Sequence, residues 1–500
     1  MREFILFDIV KEELERENTR LPRKDKPISG QRGLLTTTWD IWRTRRGGER
    51  AITARREHRL ENMIAFARAR SPFYQALYRG LPAGIRDLQE LPPVSKPELM
   101  GSFDDWVTDP KVIKAGAEAF VADSDLVGSY YLGQYALWTT SGTTGEPAIF
   151  VHDGGALNVY AALGLLRGIY AWMTPGNLWA FLRQDVRAAI VIAAGGHWAS
   201  DAVKELVRGL HPSLSERIQT YSVLTPIPQM VHTLNEYQPT ILFGYPTALA
   251  LLAHQQLVGE LKISPLLVAT AAEWLTPGAR DQIGGAFNCL VRETYAASEF
   301  MGLAYSCDHG RLHVNSDWVI MEPVDEAYQP VPPGQASLTV LLTNLANRVQ
   351  PIIRYDLGDS ITVDPDPCPC GNPLPAIQVE GRRDDVLYLQ TPDGKSVPIL
   401  PMALATVVEE VPGVTRYQII QTAPAELSLR IEAPSENLQV GEIVTQRLRE
   451  YLGTLGLSAI QIEESSETPT RDPVSGKYRQ VWADLGPKDN QRQHHFHPKP

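Results

Sequence analysis

Residues 139–147 form a loop whose side chains suit a polyphosphate. They read Thr-Thr-Ser-Gly-Thr-Thr-Gly-Glu-Pro, which combines hydroxyl groups with glycine and has no large side chain. Glycine lets backbone N–H groups approach an anion, and the hydroxyls add further donors. The apolar runs 135–138 and 148–151 on either side predict two strands, so we expect the loop at the tip of a hairpin. An ordinary surface turn of the same composition is the alternative interpretation.

The loop is not a Walker-type phosphate loop. The Lys-Ser/Thr pair that ends that motif is absent, and no helical pattern follows the second glycine directly.

Four further segments follow the loop: Glu-Thr-Tyr-Ala-Ala-Ser-Glu at 293–299, Arg-Tyr-Asp-Leu-Gly-Asp at 354–359, Gly-Arg-Arg-Asp-Asp at 381–385 and Ser-Gly-Lys-Tyr-Arg at 475–479. Together with the loop, they resemble the motifs of the adenylate-forming enzymes: acyl-CoA synthetases, peptide-synthetase adenylation domains and luciferases. The chain also resembles the phenylacetate-CoA ligase branch, through residues 69–75, 91–96 and 368–371.

The resemblance implies a role for each matched residue. Glu299 is expected to bind Mg²⁺. Asp359 is expected to bind the ribose hydroxyls of ATP, and Tyr295 is expected to stack on adenine. Lys477 is expected to be catalytic, because a flexible ammonium group suits the charge that develops between a carboxylate and the α-phosphate. The β- and γ-phosphates are expected against Ser141, Gly142, Thr143, Thr144 and Gly145, with Thr144 also counted among the catalytic groups.

Further positions follow from the same resemblance. Many relatives carry lysine at Glu146, so this loop would rely on backbone and hydroxyl donors. Arg382, also expected near the nucleotide, and Asp384 match the hinge about which a smaller C-terminal domain would rotate. His197, in a Gly-Gly-His-Trp segment, either lines a pocket that favours an aromatic acid or is structural. The other residues expected around the nucleotide and the acid are Gly244, Tyr245, Pro246, Ala271, Ala272, Glu273, Ala296 and Ser298.

The implied reaction joins a carboxylate to the α-phosphate of ATP with release of pyrophosphate. Two anions must meet, so the site has to align them and offset their charge. We expect an AMP-forming carboxylic acid:CoA ligase that acts on an aryl or arylacetic acid. The motifs serve only the first step, so an amine or a carrier-protein thiol is the alternative acceptor. A catalytically silent nucleotide-binding homologue is a third hypothesis, which the presence of Glu299 and Lys477 disfavours.

Three cysteines and a histidine have positions that suit a metal. Cys368 and Cys370 lie in a proline-rich loop, and Cys307 precedes His309 and His313. Zinc prefers four thiolate or imidazole ligands, although a Cys-x-Cys pair alone also fits a plain turn. Members of the branch that this chain resembles carry zinc on such a set. We therefore expect structural zinc on Cys307, His313, Cys368 and Cys370, and prefer His313 to His309 because it begins a strand-like run.

Composition and charge are those of an ordinary globular protein. Of the 500 residues, 43% are hydrophobic and 21% charged, and the net charge of -11 argues against a nucleic-acid or anionic-membrane surface as partner. Four cysteines exclude a disulfide scaffold, and Cys289, in an apolar segment, is expected in the core. No apolar run approaches the ~18 residues of a membrane helix, and the N-terminus lacks signal-peptide features. We expect a cytoplasmic protein, with a homodimer as one option.

Apolar strand-like runs alternate with helical patterns, which predicts a layered α/β fold. Residues 240–245 and 266–270 are strand candidates, as are the alternating segments 417–421 and 427–431, and Pro246 begins a predicted helix. We divide the chain into an exposed N-terminal extension (1–60), a large AMP-binding domain of several subdomains (61–380), a small mobile α+β domain (381–486) and a disordered His-rich tail (487–500).

Overall fold

The computed structural model describes residues 33–82, 84–85, 87–140, 148–172, 186–192, 217–223, 225–382, 386–399, 401–433, 439–471 and 478–485. Within these ranges the protein is mixed α/β, as predicted, and its largest sheet has nine strands. None of the helices in the described ranges has both the length and the apolar character that crossing a bilayer requires.

The helices of the described residues lie before, between and after the strands of that sheet. They are α1 (Leu34–Arg46), α2 (Gly48–Arg70), α3 (Pro72–Leu77), α4 (Lys96–Gly101), α5 (Phe103–Trp106), α6 (Lys114–Ala122), α7 (Gly154–Leu163), α8 (Tyr170–Trp172), α9 (Ile227–Tyr237), α10 (Pro246–Leu257), α11 (Pro277–Phe287), α12 (Pro401–Glu409) and α13 (Val440–Thr454).

The strands fall into five sheets. They are β1 (Ala136–Thr139), β2 (Ile149–His152), β3 (Ala188–Ile192), β4 (Ile218–Ser222), β5 (Ile241–Gly244), β6 (Leu267–Ala271), β7 (Leu290–Ala297), β8 (Phe300–Ser306), β9 (Leu312–Val314), β10 (Val319–Val324), β11 (Thr339–Asn344), β12 (Tyr355–Asp356), β13 (Asp359–Val363), β14 (Ala376–Arg382), β15 (Leu387–Gln390), β16 (Ser396–Ile399), β17 (Arg416–Ala423), β18 (Glu426–Glu432), β19 (Gln461–Glu464) and β20 (Val481–Ala483).

The nine-stranded sheet has a parallel half and an antiparallel half. Its order is β13-β14-β9-β8-β7-β6-β5-β3-β4, in which β3 to β7 are parallel and β7, β8, β9, β14 and β13 pair antiparallel. The predicted strands 240–245 and 266–270 are β5 and β6, whose apolar runs suit strands covered on both faces. Helix α10 starts at Pro246, as predicted, since proline needs no N–H partner in the first turn.

Strands β1 and β2 pair antiparallel and flank the predicted phosphate loop. Their register joins Ala136 to His152 and Thr139 to Ile149. The prediction that two apolar runs pair around the loop is therefore confirmed, while loop residues 141–147 themselves lie outside the described ranges. The hairpin shares one hydrophobic core with helices α2 to α7 and with the small β10-β11-β12 sheet.

The N-terminal helices pack on this core more closely than the sequence suggests. Helix α2 contributes the buried Leu60 and Met63, so the predicted boundary at residue 60 falls inside a packed helix. The Arg59 guanidinium contacts the Asp40 carboxylate and lies 3.4 Å above the ring of Trp318. The Arg-rich stretch at 43–46 is mainly exposed, as expected. The division into domains stays a prediction.

The chain after residue 386 builds a separate core, which we call the C-terminal unit. Strands β15 to β20 and helices α12 and α13 enclose it, with Ile419, Leu429 and Leu448 at its centre. Its main sheet has the order β19-β18-β17-β20, and the predicted strands 417–421 and 427–431 are β17 and β18. Gly381, at φ 126°, lies where the chain leaves the central sheet, a conformation that side chains disfavour.

Candidate functional site

The carboxyl ends of the parallel strands collect many of the predicted site residues at one edge. Residues 244–246 lie at the end of β5, residues 271–273 at the end of β6 and residues 295–297 at the end of β7. These three strands are neighbours in the sheet. Strand β3 also ends at this edge, just before the predicted His197 segment, which lies outside the described residues. Open α/β sheets bind ligands outside the carboxyl ends of their strands.

The close packing of β5 against β3 explains why β5 ends in a glycine, Gly244. A Cβ atom at Gly244 would lie 2.6 Å from the carbonyl oxygen of Val191 on β3. The small residue therefore allows the backbone of neighbouring parallel strands to approach where α10 begins. The next residue, Tyr245, is buried, so this segment is packed against the rest of the protein at the edge of the sheet.

Three predicted nucleotide residues meet beside β7. The hydroxyl of Tyr295 donates to Asp359 Oδ2 at 2.5 Å, across 64 residues of sequence. Arg382 Nε lies 3.7 Å from Asp359 Oδ1, and β13 and β14 pair these two residues directly. Burial raises the pKa of Tyr295 well above its ordinary value, and the Asp359 charge adds to the effect. A carboxylate and a guanidinium thus lie side by side at an aromatic ring.

Glu299 is a buried carboxyl group close to this trio. It occupies the turn between β7 and β8 and is 5% exposed. Burial raises its pKa, while a hydrogen bond from the Tyr355 hydroxyl and the nearby Arg382 oppose the shift. A cation beside the carboxyl would favour its ionised form. Mg²⁺ prefers oxygen ligands, so the buried carboxylate of Glu299 fits the expected Mg²⁺.

The backbone around Glu299 is held by a buried polar network that the sequence analysis missed. The Ser298 carbonyl accepts from Trp138 Nε1 at 2.8 Å and from His152 Nε2 at 3.0 Å. Tyr160 donates its hydroxyl to His152 Nδ1 at 3.1 Å and accepts from Asn344 Nδ2, which also donates to the Glu299 carbonyl. The strands of the phosphate-loop hairpin are thereby attached to the Glu299 turn.

One signal in the sequence points to this network. His152 is the polar end of the apolar run Ile-Phe-Val-His, directly after the phosphate loop. Its ring stacks on Trp138 with centroids 4.1 Å apart and is fully buried. A polar group is rarely buried without a hydrogen-bond partner. The partner itself, a carbonyl 146 residues along the chain, has no local signature.

Glu273, expected near the nucleotide, has its carboxylate engaged by two parts of the chain. Oε2 accepts from the backbone N–H of Thr247 at 3.2 Å and from its hydroxyl at 2.7 Å. Oε1 accepts from the backbone N–H of Tyr478 at 2.7 Å and lies 3.5 Å from Arg471 Nη1. Arg471 and Tyr478 belong to the C-terminal unit, and nothing in the local sequence identified Arg471 as a partner.

The predicted metal ligands come together in one cluster. The three thiol sulfurs and one imidazole nitrogen of Cys307, His313, Cys368 and Cys370 all lie within 4.8 Å of one another. Cys307 Sγ and Cys368 Sγ are 3.7 Å apart, and Cys370 Sγ is 3.3 Å from His313 Nε2. Tetrahedral zinc, with Zn–S of about 2.3 Å and Zn–N of about 2.0 Å, separates its ligands by about 3.5–3.8 Å. The spacing fits.

The orientation of His313 also suits a ligand. Its Nδ1 donates to the Leu374 carbonyl at 2.8 Å, so Nε2 is the acceptor in the contact with Cys370 Sγ, and its lone pair points into the cluster. Histidines that bind metals commonly donate their second nitrogen to a carbonyl in this way. The alternative residue, His309, is exposed and is not part of the cluster. Cys289, half-buried against the core of the parallel strands, stands apart.

Several predicted residues lie outside the described ranges. They are Ser141, Gly142, Thr143, Thr144, Gly145, His197, Asp384 and Lys477. Their roles stay predictions.

Comparisons with known proteins agree with the fold and the motifs. No family model matches the chain. A phenylacetate-coenzyme A ligase of Thermus thermophilus is 24% identical over 410 residues, which cover 77% of this chain and 82% of that enzyme. The protein CapK of Staphylococcus aureus is 22% identical over 324 residues, 61% of this chain and 62% of that protein.

A solved structure of 2-hydroxyisobutyryl-CoA ligase in complex with 2-HIB-AMP has the same fold. Its TM-score is 0.63 at 18% identity, and the match covers 89% of this chain and 91% of that one. The two proteins therefore share their overall fold. The chain is thus similar in sequence to a phenylacetate-coenzyme A ligase and in fold to a second CoA ligase.

Proposed function

We propose that the protein is an ATP-dependent carboxylic acid:CoA ligase that forms an acyl adenylate and then a thioester. The observation that carries the proposal is the meeting of Tyr295, Asp359, Arg382 and the buried Glu299 at the carboxyl edge of the parallel strands. The similarity to a phenylacetate-coenzyme A ligase supports both the reaction and an aryl or arylacetic acid as substrate.

The residues at this edge have distinct tasks in the proposed reaction. Asp359 would accept hydrogen bonds from the ribose, with the Tyr295 ring against adenine and Arg382 offsetting phosphate charge. Glu299 would hold Mg²⁺, which when bound neutralises phosphate charge and orients the phosphates. Its turn keeps its position because Trp138 and His152 hold the Ser298 carbonyl. The loop at 141–145 would bind the β- and γ-phosphates through hydroxyl and backbone donors.

Lys477 would supply the remaining positive charge. As the carboxylate attacks the α-phosphate, pyrophosphate leaves and negative charge accumulates on the oxygens between the two groups. An ammonium group placed there stabilises the transition state more than the separate substrates. The neighbouring Tyr478 is bonded to Glu273 at the end of β6, which supports placing the lysine at this edge.

The cysteine cluster has a separate, structural task in our proposal. All four positions of a zinc shell would be filled by protein, so no position remains for water or substrate. The metal would tie the β8–β9 turn to the loop that precedes β14, next to the Asp359 and Arg382 strands.

Release of pyrophosphate tests the proposed reaction. Purified protein, ATP and Mg²⁺ are incubated with phenylacetate, benzoate and hydroxybenzoates, with an aliphatic acid for comparison, each with and without CoA. We expect acid-dependent pyrophosphate release that CoA accelerates, with AMP and an acyl-CoA as products. Release that is unaffected by CoA would favour an amine or a carrier-protein thiol as acceptor. Absence of release with every acid, despite ATP binding, would favour a silent homologue.

A further inference from the structure

The Glu273 carboxylate joins the central sheet to the C-terminal unit. It is 5% exposed, and each of its oxygens accepts from a different part of the chain. Thr247, on the sheet side, lies in the first turn of α10 and donates both its N–H and its hydroxyl. A carboxylate is favoured at a helix N-terminus, because unpaired N–H groups and the helix dipole are both oriented towards it.

The C-terminal unit contributes two groups that stand close in sequence. Arg471 reaches Glu273 with Nη1 and donates from Nη2 to the Thr247 hydroxyl at 2.9 Å. Tyr478 donates its N–H to Glu273 at 2.7 Å. Arg471 and Tyr478, the described residues on either side of 472–477, are therefore both bonded to one carboxylate. Since Thr247 also accepts from Arg471, the three side chains form a closed set of bonds.

Two neighbours of Glu273 reinforce this contact. Trp274 packs against the hydrophobic core of the C-terminal unit, so an apolar contact accompanies the charged one. Ala272 has φ 70°, a left-handed conformation that disfavours residues with a Cβ by about 1 kcal/mol or more. Such strain persists only where the surrounding structure imposes it. It turns the chain sharply after β6 and directs the Glu273–Trp274 pair towards the C-terminal unit.

Building on the proposed function, we propose that Glu273 is a positioning residue for adenylation. It holds the C-terminal unit against the carboxyl edge of the sheet through Arg471 and the Tyr478 N–H. The segment that contains Lys477 starts after one of these contacts and ends at the other. Glu273 acts through that segment and has no part in the bond changes themselves.

The test separates the contact from the chemistry. Glu273→Gln keeps the size of the side chain and removes its charge, so Arg471 loses its ionic partner. Hydrogen–deuterium exchange of peptides within 478–485 should become faster, with peptides of β17 and β18 as internal reference. Acid-dependent exchange of labelled pyrophosphate into ATP should fall roughly 10- to 100-fold in kcat, because small misplacements have effects of that size. KM for ATP should stay within about twofold, since the ribose and adenine contacts are untouched.

Thioester formation from a supplied acyl adenylate and CoA provides the reference reaction. It should change much less than pyrophosphate exchange in Glu273→Gln. Arg471→Gln should reproduce the effect, and the double variant should fall no further, as expected for two partners in one contact. Glu450→Gln is the matched control, because it neutralises an exposed carboxylate of the C-terminal unit, on α13, that accepts a hydrogen bond from Gln446. It should leave both half-reactions unchanged.

Each contrary result has a separate meaning. Unchanged hydrogen exchange in Glu273→Gln would overturn the proposal that Glu273 holds the C-terminal unit against the sheet. Faster hydrogen exchange with an equal loss of both half-reactions would show a general structural role and overturn the assignment to adenylation. A wild-type protein that adenylates no acid would remove the proposed function and that assignment together, while faster hydrogen exchange would still establish the contact.

Discussion

His152 is an uncharged, fully buried imidazole at the centre of the network behind Glu299. Burial lowers its pKa to about 3, against a partly opposing hydrogen bond to the Ser298 carbonyl. Nε2 must carry the proton, because a carbonyl can only accept, and Nδ1 accepts from Tyr160. Protonation of Nδ1 would remove that acceptor and place a charge in the core.

This residue should make the protein sensitive to acid. An unfolded imidazole binds a proton below pH 6.5, whereas the native one remains neutral until about pH 3. His152 therefore contributes stability that is present above pH 6.5 and lost as the pH falls towards 3. The slope is about 1.4 kcal/mol per pH unit. Across urea unfolding curves from pH 7 to 5, stability of His152→Gln should decline less steeply than that of wild type.

The matched control is the same substitution at His58, an exposed residue on α2. It removes a histidine without touching the network. If His152→Gln and wild type lost stability in parallel between pH 7 and 5, the neutral buried form of His152 would be excluded.

At the scale of elements, the cysteine cluster joins two turns that carry little secondary structure. Cys307 follows β8 and His313 lies in β9, whereas Cys368 and Cys370 lie in the loop before β14. Only a short stretch of pairing, Ala376 with His313 and Ile377 with Leu312, connects these segments through the sheet. A metal bound by all four residues would add folding free energy where the backbone contributes few bonds.

Zinc content and melting temperature test the cluster. Protein that ends before the His-rich tail should contain about one zinc per chain, as a single Cys₃His shell requires. Cys368→Ser should lower both the zinc content and the melting temperature, because it removes one of four ligands. Cys289→Ser is the control and should keep the zinc, since Cys289 lies apart from the cluster.

The histidine ligand can be identified in the same way. His313→Ala should lose zinc, whereas His309→Ala should retain it, because His309 is exposed outside the cluster. Full zinc retention in Cys368→Ser, or a stable wild-type protein without zinc, would contradict the assignment.

At the scale of the whole molecule, the C-terminal unit, which has its own hydrophobic core, meets the larger preceding part of the chain at the edge where the candidate site lies. The larger part supplies Tyr295, Glu299 and Asp359, and the C-terminal unit is attached through Arg471 and Tyr478. The proposed adenylation therefore needs groups from the larger part and from the C-terminal unit at once. Mutations in the C-terminal unit should affect chemistry more than nucleotide binding.

Lys477→Ala tests this division of labour. The variant should lose most adenylate formation, by a factor on the order of 10² or more, because it removes charge stabilisation needed mainly in the transition state. Its affinity for ATP, measured by titration calorimetry, should stay close to that of wild type. An equal loss of ATP binding and of adenylate formation would contradict the catalytic role. Lys395→Ala, in an exposed turn of the same unit, is the matched control.

Much of the fold follows from local patterns in the sequence. The apolar runs of β5 and β6, the proline that starts α10 and the alternation in β17 and β18 identify elements, because each element must bury a face with its own period. The five motifs and the cysteine positions similarly point to adenylate chemistry and a metal cluster. These features are readable because they depend on residues that are close together in the chain.

The sequence by itself determined which residue types are present for binding phosphate, Mg²⁺ and zinc, and which segments become strands. The tertiary structure decided which of them meet. The folded chain brings Asp359 to Tyr295 across 64 residues, and Tyr478 to Glu273 across 205. Neither pair joins neighbouring strands, so no pattern of adjacent residues in the sequence indicates it. The partners of His152 and Glu273 therefore appear only in the folded chain.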